Sequence, residues 1–266
     1  MAVAYKAPVK DIVFGYEVID SYNILNKISA FSDFSADVVV PTMEECAKFS
    51  EEVLAPINAI GDQQGATIDN GVVTMPEEFV DAYKKFSDAG WASISLPEEI
   101  GGGGMPITLS GGTLEILSTA NLAFGLAPGL SAGAISAINF HGSQEQKDKF
   151  LPKLVSGEWT GTMNLSEPQS GSDLGTITTK AEPQEDGTYK ITGTKVWITF
   201  GEHNMTENIV HLVLAKVPGS PEGTKGISMF IVPKFHVNDD GSLGENNNVS
   251  CISIEEKLGI HASPTC

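Results

Sequence analysis

The chain has no arginine: all 16 basic side chains among its 266 residues are lysine. Arginine's planar fork grips phosphate and guanine bidentately, so the side chain best suited to nucleic acid is missing. Charge is sparse as well, at 19% of residues against the ~25% usual in globular chains, and 34 acidic groups leave a formal net charge of -18. A field of that sign repels polyanions, which excludes a nucleic-acid partner. Cysteine is scarce. Cys46, Cys251 and Cys266 stand too far apart in sequence for a CxxC pair or a zinc ribbon, and their odd number argues against a secreted disulfide framework. A reducing cytoplasm is the expected setting. Metal-binding patterns are missing too: His141, His203, His211, His236 and His261 form no HExxH and no i, i+4 pair, so no metal site is expected.

No export signal is visible, because Lys6, Lys10 and Asp11 stand where a signal peptide needs its apolar stretch. Between Ile100 and Gln144 the only charge is Glu115, yet Gly101 to Gly104, Pro106 and Pro128 interrupt any apolar run of the ~20 residues a spanning helix requires. No membrane span is expected, and buried helices account for the segment better.

What is present suffices for a core: 41% of the residues are hydrophobic, and the length suits one or two domains. Met43, Cys46, Ala47, Val53, Leu54 and Ile57 recur near the helical period. Pro76, Glu77 and Glu78, then Phe79, Val80, Tyr83 and Phe86 on one face, then Gly90, predict a helix over 77–89. Two apolar helices are expected at about 108–127 and 129–141. Ser143 and Gln146 form a capping box for another, in which Pro152 should mark a kink or an early end. Beyond residue 160 the texture changes to β-branched runs between turns: TYKITGTKVWIT, NIVHLVLAKV and GISMFIVP. Glu185-Asp186-Gly187 predicts a hairpin turn between 178–181 and 188–191. Residues 238–248, NDDGSLGENNN, read as an exposed loop. Helices followed by strands give an α+β chain, divided as 1–160 (with 1–40 an extension) and 161–266.

Two chemical signatures are weak. Gly129-Leu130-Ser131-Ala132-Gly133 matches the GxSxG nucleophile elbow, which would make the protein a serine hydrolase at Ser131, but no strand precedes it. The glycines at 101–104 could cradle phosphate, but neither GK[ST] nor a buried strand flanks them, so a plain loop is expected.

The specific segment is Met163-Asn164-Leu165-Ser166-Glu167-Pro168-Gln169-Ser170-Gly171-Ser172-Asp173-Leu174, followed by Trp197-Ile198-Thr199. The pair resembles the flavin-binding signature of acyl-CoA dehydrogenases. Gly90-Trp91 with Leu96-Pro97-Glu98-Glu99-Ile100-Gly101-Gly102, His141 to Pro152, and Lys257-Leu258-Gly259 before Ser263 sit in the same order as in that family. The likeness covers about residues 40–266. The opening Tyr5-Lys6-Ala7-Pro8-Val9-Lys10-Asp11 resembles the branch acting on 3-methylmercaptopropionyl-CoA in dimethylsulfoniopropionate breakdown.

The resemblance implies a helical N-terminal domain, a β-barrel-like middle domain and FAD as cofactor. It implies removal of a proton beside an acyl-CoA thioester and of a hydride from the next carbon to the flavin. Ser166 would reach the pyrimidine end of the ring, where the family usually has threonine. Thr199 would lie near N5, Trp197 beside the ring, and Ser172 where cofactor meets the pantetheine arm of the substrate, with Met163, Leu165, Gly171 and Ile198 also in contact. The family's catalytic base is a glutamate of a third, helical domain. The pattern stops at Cys266 before such a domain, so no catalytic residue is expected in this chain, and the chain is expected to be a weak or inactive fragment by itself. An electron-transfer flavoprotein is the implied acceptor, and a homo-oligomer the implied state of the full-length enzyme. An acyl-CoA oxidase shares fold and cofactor, and a flavin-free binding module is the alternative from another class.

Overall fold

The structure is a computed structural model that describes residues 4–266, so residues 1–3 of the expected extension lie outside the described residues. The extension folds as α1 (Val9–Val18) and a short α2 (Ser21–Leu25). Side chains strap it to the helical body: the Tyr5 hydroxyl donates to the Ile116 carbonyl at 3.0 Å and the Tyr16 hydroxyl to that of Thr108 at 2.6 Å, while Lys6 pairs with Glu51.

The 43–57 period falls on α3 (Ala36–Phe49), a π turn (Ser50–Leu54) and α4 (Ala55–Gln64). The slip of register has a local cause. Pro56 has no N–H for the Glu52 carbonyl, and the Ala55 N–H reaches back five residues to Ser50 instead. An Asn70-Gly71 turn, both residues at positive φ, joins β1 (Thr67–Asp69) to β2 (Val72–Thr74). Then comes α5 (Glu77–Asp88), one residue shorter than its punctuation predicts, with Phe79, Tyr83 and Phe86 buried.

Beyond α5, α6 (Ile107–Ala120) and α7 (Leu122–His141) divide at Asn121 rather than near Pro128, which lies inside α7. Asn121 is extended, and its side chain accepts the Phe124 N–H at 3.1 Å while donating to the Leu54 carbonyl at 3.2 Å. A cap that also ties down a neighbouring helix outweighs the one bond lost at proline. By length and composition α7 could cross a membrane, contrary to the expected interruption; it lies instead against β3, α6 and α8. In α8 (Gln144–Val155) both bonds of the Ser143–Gln146 capping box form, and Pro152 is accommodated in the last turn without ending the helix. Phe79, Tyr83, Phe86 and Phe124 cluster with Met43, Leu54, Leu109 and Ile116 in the helical core.

The strands are β3 (Trp159–Asn164), β4 (Lys180–Pro183), β5 (Tyr189–Thr192), β6 (Asn208–Lys216), β7 (Ile227–Pro233), β8 (Phe235–Val237) and β9 (Leu243–Asn246). β6 is the spine. β7 runs antiparallel along one edge; β3 runs parallel along the start of the other, and β4 joins that edge at Lys180↔Lys216 with β5 outside it. β8 and β9 form a separate ribbon, so part of the expected 238–248 loop is strand. The β4–β5 hairpin pairs 180–183 with 189–192, two residues beyond the expected start. Thr178 and Thr179 are unavailable because both their N–H groups and hydroxyls are bound to Glu167.

Candidate functional site

The polypeptide leaving β3 turns through 165–174, and the stretch 195–201 lies against it. The Ser166 carbonyl accepts the Val196 N–H at 3.0 Å, and the Leu165 carbonyl accepts the Lys195 ammonium at 3.0 Å. Lys195 also pairs with Glu167 at 2.9 Å, both side chains nearly fully buried. Burial favours the neutral acid at Glu167, but hydrogen bonds from Thr179, Thr178 and Lys195 outweigh it and hold the carboxyl far below the usual range. A carboxylate so saturated with donors anchors a loop and cannot act as a proton-abstracting base.

The second stretch is built by an unusual backbone. Trp197 (φ 58°) and Phe200 (φ 53°) are both left-handed, a conformation that disfavours bulky side chains. Between them Ile198 exchanges two 2.9 Å backbone bonds with Cys266, and Thr199 stands opposite Thr265. The Phe200 N–H is bound by the Pro264 carbonyl at 2.7 Å, which completes this short ladder.

Met163, Leu165, Ser166 and Thr199 are half-buried, Ile198 is buried, Gly171 and Ser172 are exposed, and Trp197 is 55% exposed despite its size. Ser166 and the Trp197–Thr199 run are thus brought together. No hydrogen bond among the described residues links Gly171 or Ser172 to that run; the turn holding them is closed by the Ser170 hydroxyl on the Asp173 carbonyl at 2.6 Å. Within the same set, the hydroxyls of Ser166, Ser172 and Thr199 have no hydrogen-bond partner, and the buried Thr265 and Ser263 hydroxyls have none either. Two stretches joined by a backbone bond that carry unspent hydroxyls and an exposed indole hold the residue types that suit a flat, polar-edged aromatic ring. Lys195 and Thr265 were not singled out from the sequence; Lys195 could have been, standing two residues before Trp197.

The face of β3 away from α7 is polar. Thr160, Thr162 and Asn164 alternate there, and parallel pairing sets Thr162 beside His211, whose Nδ1 lies 2.7 Å from the threonine hydroxyl. His203 Nδ1 accepts the Met205 N–H at 3.2 Å, which leaves Nε2 to donate to the Thr160 hydroxyl at 2.9 Å. Burial first, then the Lys234 charge, lowers His203 to about 3 and His211 to about 4, so both rings are neutral near pH 7. Cys251 and Cys266, remote in sequence, meet in space: a hydrogen bond with Cys251 and burial push the Cys266 thiol up.

The weaker signatures resolve as structure. Ser131 lies in the middle of α7, and its hydroxyl accepts the Gly161 N–H at 3.0 Å, an arrangement unlike a nucleophile elbow. In the glycine run every N–H from Gly101 to Gly104 is bound to a backbone carbonyl between Ser93 and Glu98, so none is free for phosphate. The run borders a cavity of about 870 Å³ that is lined by α3 and the segment after α5, apart from the flavin-signature stretches.

Comparison with known proteins gives the family. Residues 40–158 match the acyl-CoA dehydrogenase N-terminal domain and residues 162–266 the middle domain of the same family. The chain is 46% identical over 263 residues to a 3-methylmercaptopropionyl-CoA dehydrogenase of Ruegeria pomeroyi, covering 99% of this chain and 45% of that protein. It is 39% identical over 266 residues to a butyryl-CoA dehydrogenase of Syntrophomonas wolfei, covering 98% and 43%. Among solved structures, an acyl-CoA dehydrogenase complexed with FAD from Bacillus anthracis superposes with a TM-score of 0.68 at 28% identity, over 88% of this chain and 35% of that one. The chain spans less than half the length of these two curated relatives. With both domain models matched in order across a helical body and a sheet, the chain belongs to the acyl-CoA dehydrogenase family.

Proposed function

We propose that this chain supplies the flavin-holding half of an FAD-dependent enzyme that desaturates an acyl-CoA thioester between its α and β carbons, with 3-methylmercaptopropionyl-CoA as substrate. The observation that carries the reading is the Ser166–Val196 bond, which sets the two flavin-signature stretches side by side. Bound FAD would supply the hydride acceptor. Ser166, through its N–H and hydroxyl, would hold the pyrimidine edge of the ring; the Thr199 hydroxyl would serve N5, as donor or acceptor according to redox state. Trp197 would cover the ring and exclude water, while Met163, Leu165, Gly171 and Ile198 would complete its contacts. Ser172, on its exposed turn, would meet the pantetheine arm. The FAD complex of the Bacillus anthracis relative supports the cofactor, and the name of the Ruegeria protein supports the substrate.

Glu167 is excluded as base by its six donors; the resemblance assigns that role to a glutamate of the family's third, helical domain, so these residues alone would turn over weakly or not at all. The division into 1–160 and 161–266, a cytoplasmic setting, an electron-transfer flavoprotein as acceptor and a homo-oligomeric full-length enzyme belong to the same reading. Mixing the purified chain with FAD tests it: quenching of flavin fluorescence to a 1:1 end point is expected. A chain that leaves FAD fluorescence unchanged at tens of micromolar protein would favour the flavin-free binding module.

A further inference from the structure

We infer that Lys195 is a positioning residue for the flavin: its ammonium holds the Leu165–Ser166 peptide between two anchors and thereby sets the Ser166 donors at the ring edge. This rests on the flavin reading and adds to it a residue outside the signature contacts. The ammonium donates to the Leu165 carbonyl of that peptide at 3.0 Å and to the side chain of Glu167, the residue after Ser166, at 2.9 Å. Val196, its neighbour, fixes the Ser166 carbonyl at 3.0 Å. Both carbonyls of the Leu165–Ser166 pair are therefore committed to 195–196, which leaves the Ser166 N–H and hydroxyl as the polar groups still free to face a ligand. Glu167 is in turn gripped by Thr178 and Thr179, so the clamp is fastened to the start of the β4–β5 hairpin and cannot drift. Lys195 has a 9% exposed side chain, and Glu167 a 2% exposed one. A buried pair of this kind is weak evidence for stability by itself, because desolvation cancels much of the attraction; a geometric task is the better reason for it.

The test compares Lys195→Met, Lys195→Arg and Thr178→Val in the 266-residue chain, reading FAD affinity by fluorescence quenching beside the thermal midpoint of each variant. Thr178→Val removes one bond to the same carboxylate without touching the Leu165–Ser166 peptide. Lys195→Met is expected to weaken FAD binding by about 10-fold or more and to alter the visible absorption envelope of the bound flavin. Thr178→Val should lower the midpoint and leave affinity within about 2-fold, while Lys195→Arg, whose fork can serve a carbonyl and a carboxylate together, should bring affinity back to within about 3-fold of the wild type. If Lys195→Met does not fold, the double variant Lys195→Met with Glu167→Gln carries the same comparison, since it leaves no unpaired buried charge and still gives the Leu165 carbonyl no donor from position 195. Equal loss of affinity in Thr178→Val and the Lys195 variant, or a neutral Lys195 variant that binds FAD as the wild type does, overturns the proposal while the flavin reading survives. A wild-type chain that binds no FAD removes the flavin reading itself.

Discussion

The Ser131 hydroxyl on α7 accepts the Gly161 N–H of β3 at 3.0 Å, so a side chain in mid-helix satisfies a backbone donor on an edge strand. At the same point a Cβ on Gly161 would stand 2.4 Å from that of Ala134, which explains why the two elements approach so closely. Ser131→Ala leaves a buried N–H unpaired and should cost about 1–3 kcal/mol in urea unfolding. Gly161→Ala forces the seam apart, with a cost of about 1–3 kcal/mol or more. Fluorophosphonate probes should leave Ser131 unlabelled; covalent labelling there would contradict the assigned role.

Asn121 should be more sensitive than its place between two helices suggests. Asn121→Ala removes the α7 cap and the bond to the Leu54 carbonyl, for an expected loss of about 1–3 kcal/mol. Pro128→Ala, by contrast, restores a helical N–H and should be neutral or stabilising where space permits. Chemical denaturation of the two variants decides whether the side chain or the proline governs the break.

Acid should weaken the β domain through its histidines. Unfolded histidines titrate near ~6.5, whereas His211 and His203 are lowered to about 4 and about 3 by burial and by Lys234. The native rings stay neutral while the unfolded chain takes up protons. Their contribution is therefore fully present above pH ~6.5 and is lost as pH falls toward those lower values, by up to ~1.4 kcal/mol per pH unit for each ring. Glu167, also held low in the folded state, adds a loss of the same sign at more acid pH, below the usual carboxylate range. Urea midpoints should drop between pH 6.5 and 4.5, and His211→Leu should flatten the slope. A level midpoint across that interval would show that the rings titrate normally.

Ser166→Ala and Thr199→Val should separate binding from stability. Neither hydroxyl has a partner within the described residues, so each variant should unfold as the wild type does yet bind FAD about 3- to 10-fold more weakly, by fluorescence titration. A fall in thermal midpoint without a change in affinity would assign both hydroxyls to the scaffold.

Much of this was legible in the sequence where the signal is local. The punctuation of α5 and the Ser143–Gln146 box are read from neighbouring residues, and both elements form where expected. What escaped depends on partners far along the chain. Nothing near Thr178 announces that Glu167 will take its N–H and shift the hairpin, and nothing near His211 reveals Thr162 until β3 and β6 pair in parallel. The Asn121 break was hidden by a louder proline, because its decisive bond goes to Leu54 in the π turn 67 residues earlier. At the candidate site the motifs singled out Ser166 and Trp197–Thr199 as expected contacts, while the clamp that sets their two stretches side by side needed the fold.

Trp197 keeps a left-handed backbone that glycine or asparagine would occupy at lower energy, by about 1–3 kcal/mol. Selection for heat tolerance alone would accordingly replace the indole with a smaller residue and yield a hardier protein. The same substitution made deliberately reports which demand, endurance or ligand contact, keeps a large aromatic in so unfavourable a posture.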